Sequence, residues 1–173
     1  MHFKNSASDP CLYFLREGNS VILLGVYVDD IIVAYRGDDL LKRFDAAFHK
    51  RFTATPATKL EWFLGMAVDQ HEDYSIDINH ALSIEKMAGK LLPGNSVTRE
   101  YPTKEMFEKL GPAKSAEERA RVQKYQYASI IGALLYISVM SRPDTVYYTS
   151  VLAKFMSDPS MECVEASYHV IQY

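Results

Sequence analysis

Residues 26 to 33 read VYVDDIIV, two adjacent carboxylates set between β-branched and aromatic neighbours. Removing a carboxylate from water without a partner is strongly unfavourable. Asp29 and Asp30 therefore either stand on a turn that reaches solvent or lie against something positive. One chemistry suits both conditions: hard carboxylate oxygens, half exposed at a strand reversal, can share a hard divalent cation that keeps several of its waters. A hairpin turn carrying two solvated acids accounts for the same letters without any ligand.

The other reactive side chains form no second constellation. His2, His49, His71, His80 and His169 show no metal-ligand spacing, which points to structural or surface roles. Cys11 and Cys163 stand far apart with no CxxC, so neither a disulfide framework nor a zinc site is expected, and a reducing compartment is. No GxxxxGK[ST] phosphate cradle is present. Lys42, Arg43, Lys50 and Arg51 either meet a nucleic-acid backbone or form the solvated face of an amphipathic helix. Arg142 and Asp144 bracket Pro143, where a local cap or ion pair is expected rather than catalysis.

The elements that must position these groups are legible in outline. CLYFLR, SVILLGVYV and IIVAYR are β-rich runs, with a turn at Glu17, Gly18 and Asn19 and a second reversal at the aspartates. In DDLLKRFDAAFHKRF, Leu40, Leu41, Phe44, Ala47, Phe48 and Phe52 recur at helical spacing, with Asp38 and Asp39 at the start and His49, Lys50 and Arg51 near the end. LEWFLGMAVDQ and YSIDINH read as strands joined at Glu72 and Asp73, and ALSIEKMAGKLL as a helix ending at Pro93, Gly94 and Asn95. Residues 94–114 read as a connector. Beyond it, Ser115 and Glu118 resemble a capping box, one helix runs to about Ser138, Pro143 opens another, and a last helix starts at Asp158, Pro159 and Ser160.

Composition narrows the classes further. With 173 residues, 48% of them hydrophobic and 24% charged, the chain is long enough for one domain or two small lobes with real cores. Its net charge of −3 lacks the basic excess of many nucleic-acid binders, although a local basic groove stays open. The N-terminus has no apolar signal region, and the longest apolar run, IIGALLYISVM, is too short to span a bilayer.

Taken in order, the motifs resemble the reverse transcriptase of copia-type (pseudovirus) long-terminal-repeat retrotransposons. They are S-D-P-C-L-Y at 8–13, YVDD at 27–30, F-L-G at 63–65 and Y-x-x-x-I-G-A-L-L-Y at 127–136. R-P-D at 142–144 and F-M-S-D-P at 155–159 complete the series. The resemblance implies the C-terminal part of the polymerase domain of a Pol polyprotein, an RNA-directed DNA polymerase. It implies Asp29 and Asp30 as catalytic ligands of magnesium, with manganese as a possible substitute, and Tyr27 and Val28 near the primer terminus. Trp62, Phe63, Leu64 and Gly65 would support the primer end, or serve as plain core with a glycine for close approach. Template–primer RNA and DNA, deoxynucleoside triphosphates and the rest of the polyprotein are the implied partners, with no membrane. The implied place is the cytoplasm, in a virus-like particle, or the nucleus, without secretion.

The chain departs from the family at several points. The family's D-x-x-x-A-F-L-N-type strand has no counterpart before Asp29, where Asp9 is the earlier aspartate and does not match it. The turn before F-L-G reads Pro56, Ala57 and Thr58, and the closing helix reads Cys163, Tyr168, His169 and Gln172 at positions where a histidine and several basic residues are usual. The expected fold is α+β, a partial reverse-transcriptase palm followed by a helical thumb/connection-like region: a partial palm and thumb-like segment with the YVDD hairpin over 1–93, the connector over 94–114, and a helical connection-like region over 115–173. An incomplete or inactive polymerase remnant is the expected function. The alternatives are a catalytically dead helical interaction module and an unrelated magnesium-dependent phosphoryl-transfer domain using the Asp29/Asp30 pair. A half-covered palm sheet should also leave some of Val21, Leu23, Val26, Ile31 and Val33 open to solvent.

Overall fold

Period-two alternation through the first 36 residues produces a four-stranded antiparallel sheet of order β1-β2-β3-β4. In the computed structural model, which describes residues 1–55, 58–92 and 98–173, these strands are β1 Lys4–Asn5, β2 Leu12–Glu17, β3 Ser20–Tyr27 and β4 Asp30–Arg36. Gly18, with φ +58°, takes the left-handed position in the β2–β3 turn. Asp9 accepts the N–H of Cys11 at 2.8 Å, a local turn that feeds the chain into β2. The short β1 was not foreseen; it pairs Lys4 with Phe14 and Asn5 with Tyr13.

Helix α1, Asp38–His49, follows β4 through Gly37 at φ +106°. A side chain at Gly37 would bring its Cβ within 2.8 Å of the Ser20 Cβ, so the close approach of the two segments demands glycine. Asp38 and Asp39 in the first turn and His49 in the last complement the helix dipole, as expected. The helix buries Leu40 and Phe44 against Leu15, Ile22 and Leu24, and burying each such side chain contributes about 1.5–3 kcal/mol. Phe52 lies beyond the helix and is exposed, so it does not join this core.

This first compact unit spans Met1–Leu60, and a second spans Glu61–Tyr173. The second unit begins with a three-stranded antiparallel sheet, β5 Trp62–Phe63, β6 Met66–Gln70 and β7 Ile76–Asn79, in that order. LEWFLGMAVDQ is therefore a hairpin rather than one strand. Leu64 at φ +51° and Gly65 at φ +82° form its two-residue loop, the left-handed pair that matches the twist of adjoining strands.

Helices make up the rest: α2 Ala81–Leu91, α3 Lys104–Glu108, α4 Ala116–Val122, α5 Tyr127–Met140, α6 Val146–Ala153 and α7 Met161–Gln172. Their core gathers Phe107, Val122, Ile131, Leu134, Leu152, Val164 and Val170, with Cys163 fully buried among them. Part of the stretch read as a connector therefore carries a helix, α3, whose Phe107 is a core residue. Pro56 and Ala57, and Pro93 to Val97, lie outside the described residues, and so do the turn readings placed on them.

Ser115 caps α4 by accepting the N–H of Glu118 at 3.1 Å. The reciprocal half of a capping box does not form. The Glu118 carboxylate instead accepts the N–H groups of Lys114 and Met161, at 2.8 and 2.9 Å, and those two bonds lower its pKa from the ordinary carboxylate value. Ser160 caps α7 by accepting from Cys163. The fold is thus mixed α and β, with two small antiparallel sheets and several helices. Among the described residues, no helix is long and apolar enough to cross a membrane.

Candidate functional site

The aspartate pair stands where the two longest strands reverse. Tyr27, the last residue of β3, pairs with Asp30, the first of β4, and Val28 and Asp29 form the loop between them. All four are exposed. Val28 is 82% exposed with φ +53°, a left-handed conformation that a β-branched residue rarely adopts and that costs about 1–2 kcal/mol. The carboxylates thus leave the sheet at its tip, so no burial penalty arises.

The register assigns the sheet's two faces. Ile22 and Leu24 of β3 pack on α1, and pairing puts Tyr13, Leu15, Val33 and Tyr35 on that same face. Tyr27 and Asp30 fall on the opposite face, together with Leu12, Phe14, Leu23 and Ile32. Of the five residues expected to include open ones, Leu23 and Ile31 are exposed, whereas Val21, Val26 and Val33 are half-buried.

Lys42 and Arg43 lie exposed on α1, the helix that covers the face away from Tyr27 and Asp30. Arg43 is also engaged, paired with Glu17. The structure does not bring these cations beside the aspartates. Trp62, Phe63, Leu64 and Gly65 belong to the second unit, where Trp62 is 50% exposed and Phe63 and Leu64 are half-buried. Arg142 makes a two-pronged contact with Asp144, Nε to Oδ1 at 3.0 Å and Nη2 to Oδ2 at 2.8 Å. It also lies over the Tyr173 ring. This is the local ion pair expected at Pro143, and Arg142 holds the Asp144 carboxyl below its ordinary value.

As a cation site, the hairpin supplies two hard, solvent-facing carboxylates, which fits part of a magnesium sphere with water completing it. Among the described residues, no group of three or more His, Cys, Asp or Glu is placed to hold a metal ion. The donor set therefore fits one loosely held ion and not a fixed pair of ions.

Sequence reasoning missed the partners of the β5–β6 turn. The Tyr136 hydroxyl donates to the Leu64 carbonyl at 2.6 Å, and the Ser83 hydroxyl donates to the Gly65 carbonyl at 2.9 Å. Tyr136 closes the Y-x-x-x-I-G-A-L-L-Y motif and Leu64 is the centre of F-L-G, so two of the quoted motifs meet in space. Their shared place in an ordered series was the available signal; nothing in their spacing gives the contact.

The chain is 28% identical over 172 residues to the "Retrovirus-related Pol polyprotein from transposon TNT 1-94" of Nicotiana tabacum, covering 96% of this chain and 13% of that protein. It is 27% identical over 165 residues to the "Putative transposon Ty5-1 protein YCL074W" of Saccharomyces cerevisiae, covering 94% of this chain and 51% of the relative. With the "Retrovirus-related Pol polyprotein from transposon RE1" of Arabidopsis thaliana it shares 29% identity over 173 residues, 99% of this chain and 11% of the other. The chain thus spans about half or far less of the relatives it matches. No protein-family model matches the chain, and no solved structure matches it. Along nearly its whole length, the chain is similar to segments of the Pol polyproteins of copia-type transposons.

Proposed function

We propose that this chain is the part of a retrotransposon reverse transcriptase that carries the polymerase palm's aspartate hairpin. The observation that carries this reading is the reversal at Tyr27–Asp30, which lifts two carboxylates into water at the tip of an apolar sheet. The similarity to transposon Pol polyproteins supports it from the other side. In this reading Asp29 and Asp30 hold a magnesium or manganese ion, Tyr27 and Val28 lie near the primer terminus, and Trp62 to Gly65 support the primer end. A bound divalent ion supplies charge stabilisation to the attacking and leaving oxygens of nucleotidyl transfer. The chain's own contribution is to present the two carboxylates and to orient the primer end. The partners are a template–primer hybrid, deoxynucleoside triphosphates and the remainder of the polyprotein.

The test is the affinity of the chain for a labelled RNA–DNA primer–template hybrid across a magnesium titration. Magnesium should tighten binding to the unmodified chain and leave the Asp29→Asn, Asp30→Asn double variant unaffected. The same magnesium dependence in both proteins would overturn the reading. The uncovered face bearing Leu12, Phe14, Leu23 and Tyr27 favours a second reading, a protein-interaction module. That reading gains if no hybrid is bound at any magnesium concentration.

A further inference from the structure

The Leu64–Gly65 loop is held in an unusual way. Leucine at φ +51° is disfavoured, and the two loop carbonyls are both taken by side chains from helices distant in sequence, Ser83 of α2 and Tyr136 of α5. Tyr136 is itself fixed at its ring. The buried His80 packs edge-on against it, with centroids 5.2 Å apart and planes at 83°, and His80 is tied to Ser141 at the end of α5 through a 2.7 Å hydrogen bond. The phenol is thus braced at one end by the helical core and presents its hydroxyl to the loop at the other. Two residues before that loop, Trp62 stands half exposed on the two-residue strand β5, which among the described residues pairs only with β6.

We propose that Tyr136 is a positioning residue: through the Leu64 carbonyl it fixes the β5–β6 hairpin and so sets where the Trp62 indole meets a primer–template hybrid. This rests on the reading of Trp62–Gly65 as a nucleic-acid-contacting segment. An exposed indole offers a stacking surface to bases or sugars of any sequence, but only if its strand holds still. With so short a strand, the two side-chain hydrogen bonds supply the restraint that strand pairing alone does not.

Trp62 is the sole tryptophan, so its fluorescence reports this hairpin directly. Tyr136→Phe keeps the ring on His80 and deletes only the hydroxyl. We expect faster acrylamide quenching and lower anisotropy of Trp62 in this variant, with the helical circular dichroism retained. Affinity for an RNA–DNA hybrid should fall about three- to ten-fold, the range a single net hydrogen bond commands. In a Trp62→Ala background the same change should add no further loss. If Tyr136→Phe does not fold, Ser83→Ala, acting on the neighbouring carbonyl, carries the same comparison. An unmodified chain that binds no hybrid overturns the functional reading itself. A chain that binds normally, while Tyr136→Phe leaves both Trp62 quenching and affinity unchanged, overturns the positioning role alone.

Discussion

The imidazole Nδ1 of His80 lies 2.7 Å from the Ser141 hydroxyl, while its other nitrogen, Nε2, is buried without a hydrogen-bond partner. At 2% exposure the ring has little access to water, and burial pushes its pKa below the ordinary 6.5. The protonated ring would carry an N–H at Nε2, where no acceptor stands among the described residues. The unfolded chain therefore binds a proton at higher pH than the folded one. The stability linked to His80 is full above about 6.5 and is lost as pH falls through the lower folded value. Urea midpoints at pH 7.5 and 5.5 should differ more for the unmodified chain than for His80→Gln. Equal differences in the two proteins would contradict this.

Val28 is the one loop residue of the aspartate hairpin with positive φ, and two-residue hairpins with that geometry favour glycine there. Val28→Gly should relieve the strain and stabilise the first unit by about 1 kcal/mol. Slower hydrogen exchange of the β3 and β4 amides would register the gain. Faster exchange would mean that the side chain at this position contributes packing that outweighs its backbone cost.

Between α5 and α6, the Ser138 hydroxyl sits 2.8 Å from Thr145 Oγ1 and 3.0 Å from Thr149 Oγ1, all three buried. Both threonine hydroxyls already donate to carbonyls, Thr145 to Arg142 and Thr149 to Thr145. Ser138 is then the donor within the cluster. Thr149→Val should cost about 1–3 kcal/mol because it removes both a donor and an acceptor from a dry site. Ser138→Ala should cost less, since it leaves no donor stranded. Chemical denaturation followed at the helical circular-dichroism band would rank the two.

Primer extension on an RNA template should be undetectable with this chain alone, with magnesium or with manganese. Two carboxylates provide part of one ion's ligand sphere, and no group of three metal-holding residues exists among the described residues. In-line transfer needs both the attacking and the leaving oxygen stabilised, and positioning of the reactants contributes a further ~7–11 kcal/mol. Template-dependent synthesis that disappears in the Asp29→Asn, Asp30→Asn variant would show that the hairpin works without further carboxylates.

The parts of the fold that were legible are those written in local chemistry. The hairpin at Asp29 follows from two β-rich runs interrupted only by acids, and α1 and α7 announce themselves through Asp38 and Asp39 and through Ser160. The β5–β6 hairpin was hidden because Trp62 to Val68 is uniformly apolar apart from Gly65, so a reversal and a continuous strand look alike in composition. The Glu118 carboxylate matched a capping-box position and yet serves Met161, 43 residues away. The Tyr136–Leu64 bond joins residues 72 apart. Such pairings are decided by how helices pack, and a local pattern carries no record of that.

The place of α7 in the second core also sets an order of folding during synthesis. In the first unit each strand pairs with its neighbour in sequence and α1 follows directly, so loop closure is short and assembly can begin once α1 has left the ribosome. The second unit closes late. Val164, Val170 and Ile171 complete its core, and the Arg99 N–H finds its acceptor only at the Gln172 carbonyl. Until those residues are made, α5, with Ile130, Ile131 and Leu134, can pack on Tyr148 and Leu152 of α6, but the part of the core that α7 supplies stays open.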